Sequence, residues 1–204
     1  MAYSDFKILK TVKEKFSLTI KETINLFEDC PIGSPTTQLS ELLDETLPLA
    51  LAINTEKARS EMLITPILLE FRRQARYQVS LFSGTEFNVD EAEGLVGFCD
   101  YILSRSPEQL TLNAPVMLIT EAKNENIKAG LGQCLAEMVA AQRFNQAEKN
   151  PVDSLYGAVT TGEIWRFLCL RGTTAMIDLT DYYLARDLPK ILGILNLSLQ
   201  VSDG

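Results

Sequence analysis

The segments Gly94-Leu-Val-Gly-Phe-Cys-Asp100-Tyr-Ile-Leu103 and Pro115-Val-Met-Leu-Ile-Thr-Glu121-Ala-Lys123 decide the fold. Each is a short run rich in β-branched and aromatic residues between turn-forming residues, which predicts two β-strands. Charges within apolar strands are expensive to bury without partners. The acid of the first strand and the acid and lysine that end the second are therefore candidates for a functional site.

The two strands are predicted to pair as an antiparallel hairpin. The midpoint between Asp100 and Glu121 falls near Leu110, inside the connecting segment, so this pairing places the two carboxylates nearly opposite each other. Glu121 and Lys123 share one face of their strand, about 7 Å apart at a rise of roughly 3.3 Å per residue. The three side chains therefore converge.

Two facing carboxylates repel each other, and burial adds to the cost of ionising both, so a cation between them is expected. Oxygen ligands favour Mg²⁺ or Mn²⁺, with water and phosphate oxygens completing the shell. Lys123 has two candidate roles, which are to offset charge on a phosphate or to hold and help deprotonate an attacking water. This combination suits hydrolysis of a phosphodiester bond.

These residues resemble the motif of the PD-(D/E)XK nuclease superfamily, in which an acid in one strand precedes an acid, any residue and a lysine in the next. The resemblance covers residues 60–170 and implies that Asp100 and Glu121 bind Mg²⁺ or Mn²⁺, that Ala122 lends its backbone carbonyl, and that Lys123 assists the water. It also implies a helix with a glutamine after the second strand, which Gly130-Leu-Gly-Gln133 matches.

Two side chains have competing interpretations. The resemblance implies an acid on the helix before the sheet as a metal ligand, and Glu70 is the candidate; the alternative is a surface acid paired with Arg73 or Gln74. Gln133 lies opposite an apolar helical stripe and faces either solvent or the site.

The motif also departs from the superfamily at two positions. Cys99 stands in place of the proline that precedes the first acid. Glu137 stands where the RecB-type exonuclease branch has a tyrosine, so the choice between exonuclease and endonuclease stays open.

The resemblance implies an α/β fold with a restriction-endonuclease-like core: a helix, a three-stranded antiparallel meander, a helix and two further strands. Residues 60–204 are predicted to form this core, which includes a C-terminal helix, and residues 1–59 a helical extension packed on it. Thr65-Pro66 is typical of a helix start, with Thr65 as the N-cap. Alternation places Trp165 on the core face of its strand, although base stacking by Trp165 and Arg166 is an alternative.

The composition excludes several classes of protein. The 204 residues contain no histidine, which excludes Ser-His-Asp and Cys-His catalysis, HNH nucleases and His-containing metal motifs. The four cysteines are widely spaced and favour reduced core thiols over a zinc site or disulfides. Absence of a signal-peptide pattern predicts a cytoplasmic location, and absence of a long apolar run predicts no membrane contact.

Charge qualifies the nuclease hypothesis. A net charge of −8 repels a polyanion, whereas nucleic-acid binders usually carry a basic surface. Arg72, Arg73 and Lys128 are the candidate substrate-binding residues, although the arginines also fit a solvated helix face. The favoured function is a Mg²⁺- or Mn²⁺-dependent nuclease, with DNA favoured over RNA. The alternative is a non-catalytic interaction or regulatory module that dimerises through its N-terminal helices.

Overall fold

A computed structural model describes residues 1–200, so the last four residues of the predicted core lie outside the description. The predicted mixed α/β class is confirmed. The described residues form an eight-stranded mixed sheet in the order β1-β7-β6-β5-β4-β3-β2, with β8 paired to β6. The strands are β1 Thr19–Thr23, β2 Ser80–Glu86, β3 Phe98–Ser104, β4 Val116–Ala122, β5 Leu155–Thr160, β6 Ile164–Arg171, β7 Thr174–Asp178 and β8 Tyr182–Tyr183.

Helices cover both faces of this sheet. One face packs on α5, and the other on α2, α4 and α6, so the central strands are buried on both sides. All seven residues of β4 and all six of β5 are buried, which explains their nearly uninterrupted apolar sequences. The helices are α1 Leu9–Lys15, α2 Thr37–Ile53, α3 Glu56–Arg59, α4 Thr65–Gln74, α5 Ile127–Ala147 and α6 Leu184–Leu197.

The sheet order does not match the predicted three-stranded meander followed by two strands. β3 pairs antiparallel with β2 and β4, but β4 also pairs in parallel with β5, and α5 forms the connection between them. The sheet continues through β6 and β7 to β1. β1 lies within residues 1–59 and pairs in parallel with β7. That part of the chain was predicted to be helical, and it therefore also contains a strand.

α4 begins at Thr65, but the predicted N-cap role of Thr65 is wrong, because its backbone is already helical. A continuous helical segment begins at Glu56, where the Thr55 side chain caps the first turn, and passes through a π-helical turn at Ser60–Ile64 into α4. Pro66 has no N–H to donate to the carbonyl of Met62. The Thr46 hydroxyl donates to that carbonyl instead, at 2.9 Å, which lets the proline stand inside the helix. The predicted domain boundary at residues 59 and 60 falls within this segment.

Trp165 lies in the core, as alternation predicted. Its ring is fully buried and stacks on Phe167, and its Nε1 donates to the carbonyl of Gly162 at 3.1 Å. Between residues 1 and 200, no helix combines the length and apolar character needed to cross a bilayer.

Candidate active site at the open end of strands β3 and β4

The hairpin brings Asp100 and Glu121 to the end of the β3–β4 ladder. Tyr101 pairs with Thr120, so the next step of the antiparallel register sets Asp100 beside Glu121. The Asp100 Oδ2 accepts from the backbone N–H of Ala122 at 2.7 Å, so this side chain takes the place of a backbone carbonyl of the neighbouring strand. The two carboxylates therefore lie close together, as the sequence predicted.

Glu121 is an acid in unusually dry surroundings. Its side chain is about 1% exposed; Oε1 accepts from Lys123 Nζ, whereas Oε2 has no hydrogen-bond partner within residues 1–200. Burial and, next, the negative charge of Asp100 raise the pKa of Glu121 to about 8, although Lys123 opposes the shift. A further cation at this oxygen would satisfy it and would favour the ionised carboxylate.

Lys123 is held between β4 and the first turn of α5. Its backbone N–H donates to Thr160 at 2.8 Å, and its Nζ donates to Glu121 and, at 3.5 Å, to Gln133 Oε1. Burial lowers the pKa of the ammonium, but Glu121 outweighs burial, so the net shift is upward. The side chain passes close to Gly130, where a Cβ atom would lie 3.1 Å from Lys123 Cε and 2.6 Å from Val159 Cγ1.

Gln133 faces the site rather than solvent. Besides its contact with Lys123, its Nε2 donates to Glu137 Oε1 at 3.0 Å, one turn along α5. Glu137 is fully buried, and burial, with Glu121 as the next cause, raises its pKa well above the ordinary value. Glu137 was noted in the sequence only as a departure from a motif. A lone acid in the apolar run Leu131–Ala141 was the signal that could have identified it.

The helical segment before the sheet lies beside the β4–α5 loop, because the Asn54 side chain donates to Glu125 Oε1 at 3.3 Å and so ties the start of α3 to that loop. Glu56, on the first turn of α3, is exposed, and it makes only a minor contribution to the raised pKa of Lys123.

Glu70 is not brought together with Asp100 and Glu121. Its buried carboxylate accepts from the backbone N–H and the hydroxyl of Thr36, at 3.2 and 3.0 Å, and from Arg73 and Gln74. Thr36 is the N-cap of α2, and α2 and α4 pack on the sheet face opposite α5. Glu70 therefore anchors the start of α2 to α4.

The candidate substrate-binding residues separate into two places. Arg72 donates to the carbonyl of Val79 at 2.9 Å and lies over the Tyr77 ring, and Arg73 pairs with Glu70. Both arginines therefore connect α4 to its surroundings. Lys128 lies exposed on the first turn of α5, two residues before Gly130, against which the Lys123 side chain packs. It is therefore the one of the three that lies on the helix beside the site.

Comparison with protein-family models finds no match to this chain, and comparison with curated proteins also finds none. Within residues 1–200, His, Cys, Asp and Glu side chains do not gather in groups of three or more that could hold a metal ion.

Proposed function

We propose that this chain is a metal-dependent nuclease that hydrolyses phosphodiester bonds in nucleic acid. The observation that carries the proposal is the meeting of Asp100, Glu121 and Lys123 at one end of β3 and β4, where a charged acceptor, a buried carboxylate and an ammonium lie side by side. Burial of charges in apolar strands costs free energy, so their presence at this place favours a functional role.

The residues at this end of the sheet fit Mg²⁺ or Mn²⁺. Asp100 and Glu121 provide carboxylate oxygens, and the resemblance assigns a third ligand to the Ala122 carbonyl. The buried Glu121 Oε2 has no partner among the described residues and suits a cation ligand. When bound, such an ion would make a water more acidic and offset phosphate charge.

Lys123 would act on the substrate directly. Its ammonium carries three donors, of which two contact Glu121 and Gln133, and this leaves one for a phosphate oxygen or an attacking water. Glu121 and Gln133 fix the position of the ammonium. Positioning and charge stabilisation are the main protein contributions to phosphoryl chemistry.

The restriction-endonuclease-like topology is part of the same proposal. Support comes from the antiparallel pairing of β2 with β3 and of β3 with β4, the crossover through α5 to a parallel β5, and the helix α4 before β2. The first residues and the strands beyond β6 would then be additions to that core.

The proposed substrate is DNA in preference to RNA, and Lys128 is the candidate basic residue beside the site. The net charge of −8 disfavours extended contact with a duplex, so the site would act on a short stretch of backbone. A cytoplasmic location and a homodimer stay predictions from the sequence.

A non-catalytic interaction or regulatory module is the second candidate. The acidic net charge favours it, as does the finding that no three metal-ligating side chains cluster within residues 1–200.

Cleavage assays separate the two candidates. Purified protein with Mn²⁺ is offered single-stranded, duplex and branched DNA and RNA, beside Lys123→Ala and the control variant Lys10→Ala, at an exposed lysine of α1. The nuclease proposal predicts cleavage that Lys123→Ala abolishes and that Lys10→Ala leaves unchanged. Absence of cleavage on every substrate, or equal cleavage by Lys123→Ala, rejects it and favours the module.

A further inference from the structure

The Gln133 side chain joins Lys123 to Glu137 by using both ends of its amide. Its Oε1 accepts from Lys123 Nζ at 3.5 Å, and its Nε2 donates to Glu137 Oε1 at 3.0 Å. Gln133 and Glu137 are four residues apart on α5, so they lie on the same side of the helix one turn apart.

Only one orientation of this amide suits Lys123. An ammonium group can only donate, so the Gln133 carbonyl oxygen must face it, and the amide N–H groups must then point toward Glu137. A carboxyl group keeps an acceptor oxygen whether or not it is protonated. Glu137 can therefore hold this orientation in either protonation state.

The position of Glu137 is hard to explain by stability alone. The side chain is fully buried in a part of α5 that is buried on nearly every side, and its Oε2 has no partner within residues 1–200. An apolar residue of similar size would avoid the desolvation of this group. The carboxyl group supplies an acceptor for the Gln133 amide, which a leucine at this position would not supply.

We propose that Glu137 is a positioning residue, which holds the Gln133 amide so that its carbonyl oxygen faces Lys123. The effect on catalysis rests on the proposed nuclease function, whereas the orientation of the amide does not. Lys123 would thereby be held by two acceptors, Glu121 from its own strand and Gln133 from the helix.

The first test measures the Gln133 side-chain amide by NMR in the full chain. In the wild type we expect a signal displaced from that of free glutamine and slow exchange of its protons. Glu137→Leu should move the signal to the position of a free amide, and Glu137→Gln, which keeps an acceptor, should restore the wild-type signal. An unchanged signal in Glu137→Leu overturns the proposal, and this readout requires no nuclease activity. If Glu137→Leu does not fold, a free-amide signal in Glu137→Gln overturns it.

The second test is a double-mutant cycle on cleavage with Mn²⁺. Supporting groups around a site are typically worth about tenfold to a hundredfold in activity, so Glu137→Leu should lower kcat by about tenfold with little change in KM. Because Glu137 acts through Gln133, adding Glu137→Leu to Gln133→Met should lower kcat no further. Gln142→Met, which removes an amide bonded to the Gly172 carbonyl elsewhere on α5, should leave kcat unchanged. Full additivity in the double variant rejects action through Gln133.

Discussion

The Asp100 carboxylate accepts from the backbone N–H of Ala122 at 2.7 Å, across the last step of the β3–β4 ladder. One side chain thus closes the end of the hairpin beside Glu121. The same residue therefore contributes to stability and to the candidate site, and substitution can separate the two contributions.

Asp100→Ala should destabilise the protein more than Asp100→Asn. Alanine leaves the Ala122 N–H without an acceptor, which typically costs about 1–3 kcal/mol in a buried setting, whereas asparagine keeps an acceptor oxygen. Urea denaturation of both variants measures the difference in free energy of unfolding. Equal stabilities would show that this hydrogen bond does not hold the hairpin end.

Gly130→Ala should destabilise the fold and displace Lys123. The added Cβ atom would lie 2.6 Å from Val159 Cγ1 and 3.1 Å from Lys123 Cγ, so helix α5 or the lysine must move. Overpacking of this kind typically costs about 1–3 kcal/mol. Thermal unfolding checks this, with the exposed Lys128→Ala on the same turn as the control. A Gly130→Ala protein as stable as the control would contradict the close packing described.

Stability in the absence of metal should fall as the pH rises from about 5 to 8. The pKa of Glu121 is raised to about 8, mainly by burial, whereas the pKa of a glutamate in an unfolded chain is about 4.3. The folded state therefore holds a proton that the unfolded state has lost. The stabilisation is complete below the unfolded pKa and disappears as the pH passes the folded pKa, by at most about 1.4 kcal/mol per pH unit.

Glu121→Gln provides the control for this pH dependence, because the amide does not titrate. Its free energy of unfolding should vary less steeply with pH than that of the wild type over this range. The pKa of Glu137 is also raised, so Glu137 contributes to the pH dependence of stability that remains in Glu121→Gln. Parallel pH profiles for wild type and Glu121→Gln would show that Glu121 titrates normally.

Glu70→Gln should destabilise the protein without weakening metal binding. Glu70 anchors the N-cap of α2 through Thr36, so its substitution should lower the melting temperature and leave Mn²⁺ affinity unchanged. Glu56→Gln, at an exposed acid of the same helical segment, is the control and should change both quantities little. Calorimetric titration and thermal unfolding of both variants measure this, and weaker Mn²⁺ binding in Glu70→Gln would return Glu70 to the site.

The strands that carry the site were predictable because their side chains determine their structure. β3 and β4 are short apolar runs between turns, and the spacing of Asp100 and Glu121 about the connection set their register. The helix with Gln133 was also evident from its apolar stripe. The close contacts of Gly130 with Lys123 and of Gly132 with Phe6 could be seen only in the structure.

The features that could not be predicted depend on distant contacts. β1 is polar and exposed at the sheet edge, so its pairing with β7 leaves little trace in the sequence. The Thr65-Pro66 pair resembles a helix start but lies inside a continuous helical segment. Pro66 has no N–H, and the hydroxyl of Thr46, on another helix, donates to the Met62 carbonyl in its place.

Mn²⁺ binding tests the central claim most directly, which is that Asp100, Glu121 and Lys123 form one site around a hard cation. Calorimetric titration of the wild type, Asp100→Asn and Glu121→Gln near pH 8 compares their affinities. The account predicts one Mn²⁺ per chain in the wild type and a loss of affinity of about tenfold to a hundredfold or more in each variant. Equal Mn²⁺ affinity in all three proteins would contradict it.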